Sequence, residues 1–222
     1  MTKVKICGIS QVDHALAAAE AGADFIGLAF APSKRQVTPQ TAREIVLALD
    51  SFKPRPLVVG VFVNTAVAEV NRLAAFCRLD WLQLSGDESW EYCQQVERPT
   101  IKTIHVSSSG GTYEILSELS LGRRILGPEA FTCLLDTEVK GAYGGTGQPF
   151  DWELAGKVSQ QHPVIVAGGL SPENVKQAIR TAKPWGVDVS SGVETDGSKD
   201  ISKIKAFVRA VRRADEEVKY TP

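Results

Sequence analysis

The chain has 222 residues, a formal net charge of −1, and 43% hydrophobic against 23% charged residues. That balance is ordinary for a soluble globular protein and lacks the basic excess of a nucleic-acid or membrane-surface binder. No apolar run is long enough to span a membrane, and two lysines interrupt the first apolar stretch where a secretory leader would lie, so a cytoplasmic protein is expected.

The first strand, Val4 to Cys7, ends in a cysteine and breaks at Gly8. An alanine-rich helix follows and closes at Gly22. The second strand is Phe25 to Phe30. A loop carrying Lys34 and Arg35 then leads to Thr38-Pro39, an N-cap with proline at the first helical position, and that helix reaches about Leu49. The third strand, Leu57 to Val63, precedes a helix capped by Asn64 or Thr65 and ending near Phe76. The fourth, Trp81 to Leu84, is ended by Ser85-Gly86, with a helix over about Glu88 to Val96. The fifth strand covers about Thr100 to Val106, with a weaker helical stretch near Tyr113 to Leu119.

The sixth strand, Phe131 to Leu135, ends at Asp136, and a long loop through Gly144-Gly145-Thr146-Gly147 reaches a helix over Asp151 to Ser159. The seventh, Val164 to Ala167, runs into Gly168-Gly169, with Ser171-Pro172-Glu173 opening the next helix. The eighth, Val187 to Val189, runs into Ser190-Ser191-Gly192. A last helix starts at Ile201, and a frayed polar tail is expected over 215–222.

The strands are near-continuous apolar runs, as in a parallel sheet covered on both faces. Eight strand-then-helix units in this length point to one α/β domain over 1–222, a closed single-domain (β/α)8 TIM barrel. An open doubly wound sheet is the alternative built from the same elements.

In such a barrel, chemistry lies at the C-terminal ends of the strands, and the special residues cluster there. Gly168-Gly169 and Ser190-Ser191-Gly192 follow adjacent strands, where backbone N–H groups bind phosphate. The Gly145 loop lacks the lysine of a P-loop and reads as a cover on the phosphate side. Arg35 can hold a carboxylate with its planar fork. Asp136, at the mouth of an apolar barrel, is a candidate general acid with a raised pKa. His14 and His162 lie away from the mouth, and His105, near the end of the fifth strand, is given little weight. The tryptophans read as core or rim residues.

None of the four cysteines forms a C-x-x-C pair, and no histidine stands at zinc spacing from them, so no metal is expected. Cys77, Cys93 and Cys133 read as small hydrophobes. Cys7 differs through strand parity. Val4 and Ile6 take the face that packs on helices, which turns Lys5 and Cys7 into the barrel. A lysine there needs a carboxylate, and Asp188, inward by the same parity on the adjoining eighth strand, supplies it. A Lys5–Asp188 ion pair beneath Cys7 is expected, with the cation lowering the thiol pKa.

Seven stretches, in order, resemble phosphoribosylanthranilate isomerase: Lys5-Ile6-Cys7-Gly8-Ile9, Pro32-Ser33-Lys34-Arg35, Val59-Gly60-Val61-Phe62, Leu134-Leu135-Asp136, Gly144-Gly145-Thr146-Gly147, Gly168-Gly169-Leu170 and Asp188-Val189-Ser190-Ser191-Gly192-Val193-Glu194. The resemblance implies a (β/α)8 barrel that performs an Amadori rearrangement of a phosphoribosyl substrate in tryptophan biosynthesis, without cofactor or metal. It makes Asp136 the general acid, Cys7 the general base, Arg35 the holder of the anthranilate carboxylate, and the two glycine loops the phosphate site. One departure stands out: the family usually reads Gln-Leu-His-Gly where this chain has Gln83-Leu84-Ser85-Gly86. Another aminoaldose isomerase and a non-catalytic phosphosugar-binding module are the competing functions. A monomer with no nucleic-acid or membrane partner is expected.

Overall fold

The computed structural model describes residues 1–106, 111–127, 131–137 and 151–219. The strands are β1 (Lys3–Cys7), β2 (Phe25–Ala29), β3 (Leu57–Phe62), β4 (Trp81–Leu84), β5 (Thr100–Val106), β6 (Phe131–Thr137), β7 (Val164–Val166) and β8 (Gly186–Val189). The alternating helices are α1 (Val12–Ala21), α2 (Pro39–Leu49), α3 (Val67–Cys77), α4 (Trp90–Cys93), α5 (Thr112–Leu126), α6 (Trp152–Ser159), α7 (Val175–Ala182) and α8 (Ile201–Lys219). The strands pair in parallel, each with its sequence neighbour, and β8 closes on β1. The fold is a (β/α)8 barrel, and the open-sheet alternative is excluded.

Parity divides the apolar residues into two cores. Val4, Ile6, Leu82, Leu84 and Val187 point outward and pack under the helices. Phe25, Val59, Ile101, Leu134 and Ile165 fill the barrel itself. Trp81 and Trp185 flank Phe25 at ring-centroid distances of 6.0 and 5.9 Å and belong to this inner plug. With that end filled by rings, the polar inward residues are confined to the C-terminal half of the strands.

Several boundaries differ from expectation. α4 is a single turn, because Pro99 forces an extended Arg98 and the chain must already turn into β5. α5 is longer than expected, since burial of Ile115 and Leu119 outweighs its weak intrinsic signal. α3 has Ala66 at its N-cap, not Asn64 or Thr65. Asn64 instead adopts φ 49° and bonds to Asp87 in the turn after β4. α7 begins at Val175, later than the Ser171-Pro172 signal, because Ser171 and Asn174 first close a turn.

The frayed tail does not begin at Asp215. α8 continues to Lys219, and the Asp215 carboxylate accepts from the Thr2 backbone N–H at 3.0 Å and the Thr2 hydroxyl at 2.6 Å. Arg212 donates to the Thr2 and Gly22 carbonyls at 2.7 and 2.8 Å. This clasp ties the last helix to the first strand. Asp215→Ala is expected to lower the urea midpoint, corresponding to about 1–3 kcal/mol lost with the partly buried donors left unpaired, without changing turnover.

Candidate active site

Cys7 ends β1 opposite Gly27 of β2. A Cβ on Gly27 would stand 2.9 Å from Cys7 Sγ and 3.1 Å from Lys5 Nζ, so the glycine leaves the space both side chains occupy inside the barrel. Lys5 and Asp188 are register partners across the β1–β8 seam, and Lys5 Nζ donates to Asp188 Oδ1 at 3.0 Å, both side chains buried. The expected ion pair is present. Burial works against the Lys5 charge, but Asp188 and Cys7 outweigh it and raise its pKa. Gly8, the residue after Cys7, has φ +75° and lies under Arg35, whose Cδ would be 2.4 Å from an added Cβ.

Asp136 is buried at the end of β6, and its Oδ1 accepts from the Thr137 N–H at 2.9 Å. Burial, then the Asp188 charge, pushes its pKa up to about 6, against the Thr137 bond and the charges of His105 and Lys5. The upward shift expected at this position is present. For Cys7 the expectation fails in sign. Burial raises the thiol pKa more than Lys5 lowers it, because Asp188 neutralises much of the lysine's field.

The glycine loops adjoin at the far side of the mouth. A Cβ on Gly192 would stand 1.9 Å from the Leu170 carbonyl oxygen, so only glycine permits this contact between the loops after β7 and β8. Gly168 and Gly169 have φ +84° and +64°, and Asn174 Nδ2 donates to the Gly169 carbonyl at 2.8 Å. Ser190 precedes a 3-10 turn, Ser191–Val193, and its carbonyl accepts from the buried Lys199 Nζ at 2.8 Å. Gly145 lies outside the described residues.

Arg35 reaches the same region but is engaged. Its Nε and Nη2 donate to the two oxygens of Glu194 at 2.6 and 2.9 Å, and Lys199 Nζ donates to Glu194 at 2.7 Å. Burial opposes the Glu194 charge, yet these two cations bring its pKa down to about 2. Glu194 takes the Nε/Nη2 edge of the Arg35 fork, whose other edge is Nη1/Nη2. Glu194 stood inside a recognised stretch, but parity and spacing carried no sign of its partner.

A second polar corner, at β4 and β5, was also missed. Ser85 Oγ lies 3.0 Å from Thr103 Oγ1 and accepts from Gln83 Nε2 at 2.9 Å, all three buried. Lys102 faces outward from β5, donates to the Gly86 carbonyl at 3.1 Å and lies 3.6 Å from buried Glu88. Glu88 accepts from the N–H groups of Asn64 and Gly86 at 2.7 and 2.8 Å. A lysine inside the strand Thr100–Val106 was the available signal, the same one that located Asp188. Cys77, Cys93 and Cys133 are buried and free.

A family model described as N-(5'phosphoribosyl)anthranilate (PRA) isomerase matches residues 4–210. The N-(5'-phosphoribosyl)anthranilate isomerase of Dehalococcoides mccartyi is 52% identical, over 97% of this chain and 98% of its own. That of Roseiflexus sp. is 44% identical over 96% and 99%. Among solved structures, phosphoribosyl anthranilate isomerase from Thermotoga maritima is similar with a TM-score of 0.82 at 35% identity, covering 96% of this chain and 100% of that one. A phosphoribosyl anthranilate isomerase in complex with reduced 1-(o-carboxyphenylamino)-1-deoxyribulose 5-phosphate has a TM-score of 0.79 at 35% identity over the same shares.

Two stability measurements follow from the buried charges. Asp188→Ala leaves the Lys5 ammonium uncompensated and is expected to cost about 3–5 kcal/mol in urea unfolding, whereas a joint Lys5→Met, Asp188→Leu change costs less. Asp136 ionises near pH 6 in the folded chain and near 3.8 when unfolded. Its stabilising contribution is therefore full below about pH 4 and lost as pH rises through about 6. Asp136→Asn is expected to be more stable than wild type at pH 8, by at most about 3 kcal/mol, and equal to it at pH 3.5.

Proposed function

This chain belongs to the N-(5'-phosphoribosyl)anthranilate isomerase family, and on that premise we propose how its barrel mouth carries out the isomerisation. The reaction converts N-(5-phosphoribosyl)anthranilate to 1-(2-carboxyphenylamino)-1-deoxyribulose 5-phosphate, a step of tryptophan biosynthesis. In this reading Asp136 protonates the ribose ring oxygen. The C1–O bond breaks, and the nitrogen lone pair forms a protonated imine. Cys7 then takes the C2 proton, the electrons flow to the imine nitrogen, and the resulting enolamine ketonises. The observation that carries the reading is the pairing of a carboxyl whose pKa is raised to about 6 with a thiol on the same rim, across a shared Lys5–Asp188 pair.

The loops at Gly168-Gly169 and Ser190-Ser191-Gly192 hold the phosphate, and the open edge of Arg35 holds the anthranilate carboxylate while Glu194 orients the fork from behind. The raised thiol pKa is compatible with a base. Ring opening places a cation on the substrate nitrogen just before the thiolate is needed, and a nearby cation favours the charged sulfur. All these groups come from one chain, so a monomer suffices for the chemistry, and a cytoplasmic location fits the pathway.

The active form has a proton on Asp136 and none on Cys7, although Asp136 is the stronger acid of the two. Below pH 6 a rise in pH gains thiolate while Asp136 stays protonated; above it the gain and the loss cancel. kcat/KM is therefore expected to climb to about pH 6, stay level, and fall only where Cys7 titrates. A fluorescence assay following loss of phosphoribosylanthranilate measures this. In the same assay Cys7→Ser and Asp136→Asn are expected to lose about 100-fold or more in kcat, with both variants folded. Full activity in both would overturn the mechanism, and a wild type that binds the substrate without turnover would favour the phosphosugar-binding module.

A further inference from the structure

We propose that His105 is a positioning residue for Asp136, fixing the place of the carboxyl at the β5–β6 edge and balancing the charge it acquires on giving up its proton. The proposal rests on Asp136 being the general acid.

His105 and Asp136 are direct register partners on adjacent parallel strands, which puts their Cα atoms about 5 Å apart with side chains on the same face. That face is the barrel interior, shared with Ile101 and Thr103 of the same strand. His105 Nε2 lies 2.9 Å from the Ser85 backbone carbonyl. A carbonyl only accepts, so Nε2 carries the hydrogen and donates it to Ser85.

The Ser85 carbonyl is itself a rigid anchor. The Ser85 N–H donates to the Phe62 carbonyl at 2.9 Å, and the Ser85 hydroxyl is tied to Gln83 and Thr103. The turn that follows is held by Glu88 and Lys102. An imidazole oriented by so constrained a group can hold a neighbouring carboxyl to within the few tenths of an ångström that proton transfer demands.

The charges around Asp136 give the imidazole its second role. Asp188, from β8, disfavours the carboxylate; Lys5, from β1, and the Thr137 N–H favour it, and so does the charge of His105. Lys5 is largely committed to Asp188. β4 offers Gln83 and Ser85, which carry no charge, and Lys102 of β5 faces away toward Glu88. Among the described residues of β4 and β5, His105 is thus the titratable side chain that faces Asp136. When Asp136 protonates the ring oxygen, the carboxylate left behind gains most from a cation on this side.

The test compares His105→Ala and His105→Gln with wild type and Asp136→Asn, reading kcat, KM, the pH profile of kcat/KM and urea stability. His105→Ala is expected to lower kcat about tenfold with KM within about twofold, and to move the inflection near pH 6 upward by about half a unit. His105→Gln keeps an N–H toward Ser85 but no titrating charge. It is expected to recover part of kcat while retaining the shifted inflection. An inflection unmoved in both variants, or in His105→Gln alone if His105→Ala does not fold, overturns the proposal. Asp136→Asn at full rate would instead remove the general acid on which the proposal rests.

Discussion

A lysine ammonium and a carboxylate, 3.0 Å apart and both buried, bridge the seam where the first strand meets the last. Neither charge could be buried there alone. Together they secure the closing edge of the barrel and place two fixed charges directly below its mouth. The negative one helps hold Asp136 protonated toward neutral pH. The positive one stands against the Cys7 thiol, though burial still keeps that thiol above its ordinary range. Space for the arrangement depends on Gly27, because a side chain on the second strand would collide with both Lys5 and Cys7.

The free protein therefore holds Cys7 as a neutral thiol at neutral pH, and keeps a proton on Asp136 up to about pH 6. This suits a reaction that makes its own cation. Charge appears on the substrate nitrogen at ring opening and is consumed when the enolamine forms, whereas the permanent cation beside the thiol, Lys5, is paired with Asp188 and too weak to make thiolate without it. The opposite side of the mouth is built from charges already paired. Glu194 draws Arg35 and Lys199 together, and the guanidinium, with its planar fork, can serve Glu194 on one edge and a ligand on the other.

The barrel was legible because its two periodicities are strong: apolar strands of three to seven residues, then helices with one buried face. The parity argument worked at Lys5 because a charge in an apolar strand has few solutions, and the register of β1 with β8 allowed only Asp188. Lys102 offers no such route, since its carboxylate neighbour, Glu88, lies in a turn and not on an adjoining strand. α4 and the start of α7 were misjudged because turns closed by Ser, Asn and Pro compete with helix signals of the same residue types.

By itself the sequence determined the order and number of strand–helix units, the face on which Cys7, Lys5 and Asp188 lie, and the seven stretches that mark the family. These depend on local spacing and on side-chain alternation, which the chain carries in one dimension. Tertiary structure decided the sign of the Cys7 shift, the capture of Arg35 by Glu194, and the meeting of His105, Ser85 and Asp136 at one edge of the mouth. Each of those is a balance between burial and charges brought from distant strands, and neither burial nor distance exists until the barrel closes.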